Sequence, residues 1–429
     1  MKEEKHILLI AYYWPPSGGA GVQRWLKMLN YLSEENIRCT VLTVDPIKAS
    51  YPIRDESLLS EVSPNIRVIK THTREPLNAY KKLTNSKESP YAGFANESNP
   101  SVVKKIARWV RANFFIPDAR IGWNKFAYKK AKELLDTEHF DAVITTSPPH
   151  STQLIGLKIK RNFSIKWIVD LRDPWTDIYY SDLFPQSRWA KRKDKNYEKL
   201  VLENADDVIV VSQSIKELFL SKGNFSDKKI CIIPNGFDHK DFSSSETLRT
   251  QKTGSLRIAY TGTMSEQYPI DAFINALTVI KSDVDLHFAG KITQSAQDKL
   301  KPFNLNVKGF VPHNESIAEL QHADVLLLII PQIENNEGIL TGKLFEYLGS
   351  KKPIIFIGPP NGDAAKIVNK CECGRVFDYD EGDKIAQYLE ELSMLKSKNQ
   401  ALHSPNNEEI MNFSRKNLAF SVKKLIEGK

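Results

Sequence analysis

The sequence has few of the features that mark secreted, membrane-spanning or disulfide-built proteins. Four cysteines in 429 residues are too few to hold so long a chain by disulfides. Cys371 and Cys373 lie close together. Two thiols without further Cys or His beside them do not make a zinc site, and they read as ordinary reduced thiols. The longest apolar runs, such as VLLLII at 325–330, fall far short of a membrane span. The opening MKEEKHILLIAYYW has an apolar run too short for a signal peptide, with acids beside its early lysines. A cytoplasmic protein is expected. No nucleic-acid motif is present, so no nucleic-acid partner is expected. No Asp-x-Asp pattern closes a predicted strand; DVD at 283–285 precedes one and reads as surface. Neither a metal nor a cofactor is expected.

What the chain does have is alternation. Apolar runs at 7–11, 39–44, 141–145, 166–169, 207–211 and 229–233 read as strands separated by helical stretches, the order of an α/β domain with a parallel sheet. A second such unit begins at Leu256, with strands in LRIAY, VDLHFA, NVKGF, DVLLLII and PIIFI. PNGFD at 234–238 and the polar residues after it read as the boundary. The expected domains are 1–237, 238–410 and a last amphipathic helix within 411–429 that returns to the first domain. Residues 76–100 read as an excursion between elements.

Between the first strand and its helix lies PPSGGAGVQR. Gly19 and Gly21 form G-x-G, and Asp45 ends the next strand, as in a dinucleotide site. Arg24, however, stands where that pattern has its third glycine. The choices are a dinucleotide turn, bare backbone approached by another bulky ligand, or a simple turn cluster. His150 lies just beyond a strand end, where ligands of open α/β sheets gather. Asp170, Arg172 and Asp173 cluster at another strand end beside Trp175, and the Asp–Arg pair reads equally well as a salt bridge.

The net charge of +8 is modest for this length, so its placement matters. Nine Lys or Arg against one acid fall between Ser101 and Lys132, around a helical pattern of Ile106, Trp109, Val110 and Phe114. A basic amphipathic helix with aromatics suits an anionic membrane surface; the plainer reading is a packing helix with a solvated basic face.

The stretch 340–357, LTGKLFEYLGSKKPIIFI, joins a helix start to a buried strand. Thr341 is placed to cap the helix, Leu344, Phe345 and Leu348 form its apolar face, and Gly349 is placed to stop it. Helix starts attract anions. Lys343 in the first turn and Glu346 one turn on suit a phosphate and a sugar diol; the alternative is two solvated charges. Thr261, Gly262 and Lys291, at the ends of neighbouring strands, are placed to face the same cleft.

Taken together, the two α/β halves, GGAGVQR, the strand-end histidine, PNGFD, HADVLLL and KLFEYL followed by KPI resemble glycosyltransferase family 4 of the GT-B fold. The resemblance covers nearly the whole chain and rests on the order of the elements. It implies two Rossmann-like domains, each with a parallel sheet, facing an interdomain cleft. It also implies retaining transfer of a sugar from a nucleotide-diphosphate donor to a glycan or lipid-linked acceptor, in surface polysaccharide or glycoconjugate synthesis. Glu346 would then bind the ribose, and Lys343 with the backbone of Thr341 and Gly342 the diphosphate. Gly19 and Gly21 would lie against phosphates and sugar, His150 against the sugar, and the backbone of Phe310 and Val311 against the base. The family's glutamate eight positions before Glu346 is Gly338 here, with Glu337 beside it. Its two loop cations correspond to Thr263 and Tyr268, leaving Lys343, Lys291 and Arg24 to compensate. Asp173 is the side chain next in line as a base, after a donor phosphate oxygen. Two other classes stand beside this reading: an NAD-dependent oxidoreductase built on G-x-G and Asp45, and a non-catalytic sugar-nucleotide-binding protein.

Overall fold

A computed structural model describes residues 4–75, 102–178, 185–243 and 254–429. The excursion expected at 76–100 and residues 244–253 of the polar stretch lie outside them. Two compact units result, Met1–Pro234 with Leu418–Lys429, and Asn235–Asn417.

The first unit has strands β1 (Lys5–Ile10), β2 (Ile37–Val44), β3 (Ile66–Thr71), β4 (Ala142–Ser147), β5 (Lys166–Leu171), β6 (Asp207–Val210) and β7 (Ile230–Ile232). Its helices are α1 (Ala20–Glu34), α2 (Val102–Phe114), α3 (Asn124–Thr137), α4 (Ser151–Asn162), α5 (Arg188–Asn204) and α6 (Gln213–Ser221). The strands form one sheet in the order β3-β2-β1-β4-β5-β6-β7, with every pair parallel. Successive residues of β1 serve opposite faces: Leu8 and Ile10 enter one core, Ile7 and Leu9 the other. Burial on both faces is why these strands read as unbroken apolar runs.

The second unit repeats the plan with β8 (Leu256–Thr261), β9 (Val284–Ala289), β10 (Leu305–Gly309), β11 (Val325–Ile329), β12 (Ile354–Ile357) and β13 (Gly374–Phe377). Its helices are α7 (Asp271–Val279), α8 (Gln294–Leu300), α9 (His313–His322), α10 (Gly342–Ser350), α11 (Asp363–Lys370), α12 (Gly382–Ser397) and α13 (Asn407–Met411). The sheet order is β10-β9-β8-β11-β12-β13, again all parallel. Strand order therefore reverses between β1 and β4 and between β8 and β11, the crevices where such sheets bind ligands. Helix α14 (Arg415–Glu427) closes the chain. Its Leu418, Ala419, Val422 and Ile426 enter the first unit's core beside Ile7 and Leu9.

Gly349 does not stop its helix. It is buried within α10, which runs to Ser350 and ends on Lys351 in the left-handed region at φ 56°. A Cβ on Gly349 would sit 2.5 Å from the Phe242 ring and 2.8 Å from Phe237, so glycine is there for close approach.

Candidate active site

In the second unit the reversal point is lined from both sides of the sheet. Gly262, which follows β8, sits at φ 100° and Gly290 at φ 144°. A Cβ on Gly290 would lie 1.9 Å from the Gly262 carbonyl oxygen, so the two loops meet backbone to backbone. The stem of Lys343 covers Gly262, its Cδ 3.3 Å from where a Cβ would be. The Lys343 ammonium donates to the Tyr260 hydroxyl and lies 4.2 Å above the Tyr260 ring and 5.1 Å from the Tyr268 ring. Burial lowers it to about 7, against the opposing pull of Glu346. An amine held near neutrality is a ready receiver for a phosphate, which would restore its full charge.

Thr341 is the N-cap of α10, but its hydroxyl does not cap the helix. Its Oγ1 is buried without a partner, as is Thr261 Oγ1, while the Thr261 amide donates to the Tyr347 hydroxyl at 3.0 Å. One turn into α10, Glu346 lies with Oε1 3.8 Å from His313 Nδ1. His313 Nε2 is in turn 3.1 Å from Asp241 Oδ2. Burial raises the Glu346 carboxyl, opposed by His313 and Arg415. Burial would lower His313, but its bond to Asp241 and the Glu346 carboxylate outweigh that and raise it. Thr261, Gly262, Thr341, Gly342, Lys343 and Glu346 thus share one end of the sheet. Lys291 is exposed beside Gly290, Glu337 is exposed in the turn Asn336–Gly338, and Val311 is half-buried. Phe310 beside it is 71% exposed.

In the first unit Gly19 has φ 107° and open space where a Cβ would be, a conformation glycine adopts without strain. Gly21 is glycine for another reason: a Cβ there would lie 1.7 Å from Arg172 Nη1. The group that approaches this loop is therefore the Arg172 guanidinium, anchored through Nε to the Ser147 carbonyl at 2.8 Å. Arg24, expected to compensate for a missing phosphate cation, faces away from solvent altogether. Its side chain and that of Asp170 are both 0% exposed and pair at 3.0 Å. Arg24 also donates to the carbonyls of Ile233, at 2.8 Å, and Pro234. The Asp–Arg salt bridge read at this strand end is made by Arg24, and Arg172 is left to face the glycine loop.

His150 is the N-cap of α4, just past β4. Its ring stacks on Trp175 at 4.8 Å between centroids and 15° between planes. Nδ1 is buried without a partner. Burial, reinforced by the Arg172 cation, lowers the imidazole to about 3, so it is neutral at physiological pH. Asp173 is raised by burial, with Arg172 opposing. Asp45 Oδ1 accepts from the Ile47 amide at 3.0 Å, a local turn bond. Among the described residues no group of three or more His, Cys, Asp or Glu is arranged to hold a metal, and no helix is long and apolar enough to cross a membrane. Sequence reasoning missed His313, and it missed that Arg172 faces the glycine loop. Only the finished packing shows either role.

Residues 89–241 match the Glycosyltransferase Family 4 model. HepE of Anabaena, solved in complex with UDP and glucose, is 15% identical with a TM-score of 0.61, over 99% of this chain and 100% of that one. The sucrose-phosphate synthase of Thermosynechococcus elongatus is 15% identical at TM-score 0.63, over 99% and 98%. A glycosyltransferase from Rickettsia africae is 13% identical at TM-score 0.64, over 99% and 98%. No curated protein matches. The chain has the GT-B fold of these glycosyltransferases. Over residues 89–241 it resembles glycosyltransferase family 4.

Proposed function

We propose that the protein is a retaining glycosyltransferase that draws a sugar from a nucleotide-diphosphate donor. One observation carries this: Lys343 and Glu346 stand one turn apart at the start of α10, at the β8/β11 reversal point. A cation and a carboxylate so placed match a diphosphate followed by a ribose diol. The departing diphosphate gains charge, which Lys343 and the positive end of α10 stabilise without a metal. The acceptor hydroxyl attacks from the face the leaving group vacates, and a donor phosphate oxygen takes its proton. Asp173, its carboxyl already raised, is the alternative base. His150, neutral, contacts the donor sugar.

Calorimetry with UDP, GDP, ADP and NAD tests the donor class. One nucleoside diphosphate should bind, and Glu346→Ala and Lys343→Ala should each weaken it by about 1.5–3 kcal/mol. Preferential binding of NAD would return the protein to the dehydrogenases. Retention is read from the anomeric configuration of the product by NMR.

Lys343 also sets a pH dependence. Its ammonium sits at about 7 in the free protein, and a bound diphosphate raises it. Binding therefore takes up a proton above that pH, and affinity falls as pH rises through and beyond 7. Titrations at pH 8 in buffers of different ionisation enthalpy should show the uptake. Lys343→Arg should bind without it; uptake unchanged in that variant would assign the proton elsewhere.

The acceptor we propose is carried on a lipid at an anionic membrane surface, which makes the protein peripheral on the cytosolic face. On α2, Ile106 is 59% exposed, Trp109 49% and Phe114 66%, and on α5 Trp189 is 58% exposed. Asn113 joins the two helices, donating to the Pro185 carbonyl at 2.9 Å and accepting from the Ser187 amide at 2.7 Å. Not all the basic residues counted from the sequence serve this face. Arg120 is buried beside Glu75, and Lys130 and Lys132 pair with Glu133 and Asp136 on α3. Arg188, Lys191, Arg192 and Lys195, exposed on α5, add to it. Near such a surface each cation contributes about 1 kcal/mol, reduced by salt. The protein should float with anionic vesicles at low salt. Flotation should fall in high salt and vanish when Lys105, Arg108, Arg111 and Arg192 are changed together to Glu. No flotation of the unaltered protein at low salt would make a soluble acceptor the better reading.

A further inference from the structure

Trp175 has the least comfortable backbone near the site. Its φ is +32°, a rare and costly value for a bulky residue and one found where surroundings force it. The surroundings here are two acids on the inner side of α5. Asp194 Oδ1 accepts from the Trp175 indole Nε1 at 2.9 Å. Glu198 accepts from the Thr176 amide at 3.2 Å and the Thr176 hydroxyl at 2.8 Å. Glu198 is itself held by Lys222 at 2.7 Å. This bracing lays a 3% exposed indole flat against the His150 ring. Asp194 is kept for this at some cost, since burial raises its carboxyl to about 7 even with the indole bond favouring the charged form. A leucine there would be easier to bury.

We propose that Trp175 and Asp194 are a positioning pair that fixes the plane of the His150 imidazole, so that its ring nitrogens meet the donor sugar in one orientation. The proposal rests on the reading that places His150 at the sugar. His150 has Trp175 on one ring face and the Arg172 charge nearby, and its Nδ1 has no partner of its own. Among the described residues no hydrogen bond to Nδ1 would hold the ring's rotation without the indole. The outer side of α5 carries the exposed Trp189 and basic side chains, so its inner acids are free of that role.

Two measurements on the full chain test the pair. The first needs no ligand. Ring protons of His150, assigned by their loss in His150→Ala, should lie at high field from the indole ring current. Trp175→Leu and Asp194→Leu should shift them to low field, while Trp175→Phe and Asp194→Asn, which keep a ring or an acceptor, should preserve most of the shift. The second is release of UDP, GDP or ADP from UDP-glucose, GDP-mannose and ADP-glucose. Asp194→Leu and Trp175→Leu should lower kcat roughly 10- to 100-fold with nucleotide affinity unchanged, and neither should lower it further in the His150→Ala background. Should Trp175→Leu fail to fold, the Asp194 pair of variants carries the test. An unmoved His150 signal in Asp194→Leu, or equal losses with and without His150, overturns the positioning role alone. Wild-type turnover by His150→Ala overturns the placement of His150 at the sugar, and the positioning role with it.

Discussion

Asp170→Ala should destabilise the first unit by about 3–5 kcal/mol, the usual cost of leaving one partner of a buried ion pair without the other. Asp170 Oδ1 accepts from Arg24 at 3.0 Å, and Oδ2 accepts from Trp25 Nε1 and Thr146 Oγ1, each at 2.7 Å. The carboxylate thus ties α1 to β4 and β5, and Arg24 carries the tie on to the end of β7 through the Ile233 and Pro234 carbonyls. Removing it strands a guanidinium that is 0% exposed. Replacing both charges, with Arg24→Met and Asp170→Leu, should cost much less than the sum of the single losses, because no orphan charge remains. Native-state hydrogen exchange of the β4 and β5 amides measures this within one unit, where a single global transition is not assured for a two-unit chain. A loss below about 1 kcal/mol in Asp170→Ala would show that water reaches Arg24, and would reopen it as a ligand-facing cation.

Arg24 shows where the sequence stops being legible. Its position within GGAGVQR points toward a ligand, but its partner is 146 residues away, and no local pattern announces such a pair. Gly21 is similar: the glycine is visible in the sequence, but the group that packs against it belongs to Arg172. The sheet interiors were easy to read because parallel strands buried on both faces are continuous apolar runs. The edge strands β3 and β13, IRVIKT and GRVF, are half-exposed. They alternate instead of running apolar, and the sequence reading passed over both. In α10 the apolar spacing and the cation–carboxylate pair were visible, whereas the boundary was misplaced because Gly349 serves packing against Phe237 and Phe242. Topology put His150 at a strand end, and that much could be read. Its stacking on Trp175 depends on a turn with positive φ that propensity does not predict.

His150→Ala should lower kcat by on the order of 10²–10³, the scale for losing one preorganised contact to developing charge, with nucleoside diphosphate affinity unchanged. The separation follows from placement: the nucleotide contacts proposed here belong to α10 and its neighbours, so a ring past β4 contributes to the transition state and little to ground-state binding. Its protonation sharpens the expectation. With the imidazole lowered to about 3, the ring is neutral from pH 5 to 8 and does not titrate in that range. The kcat profile should therefore show no limb there that vanishes in His150→Ala; a limb lost with the residue would make it an acid–base group. His150→Gln, which offers an amide donor and acceptor in similar reach, should recover part of the rate. A loss confined to KM would instead place the imidazole in donor binding, and retention by NMR would then have to be explained without it.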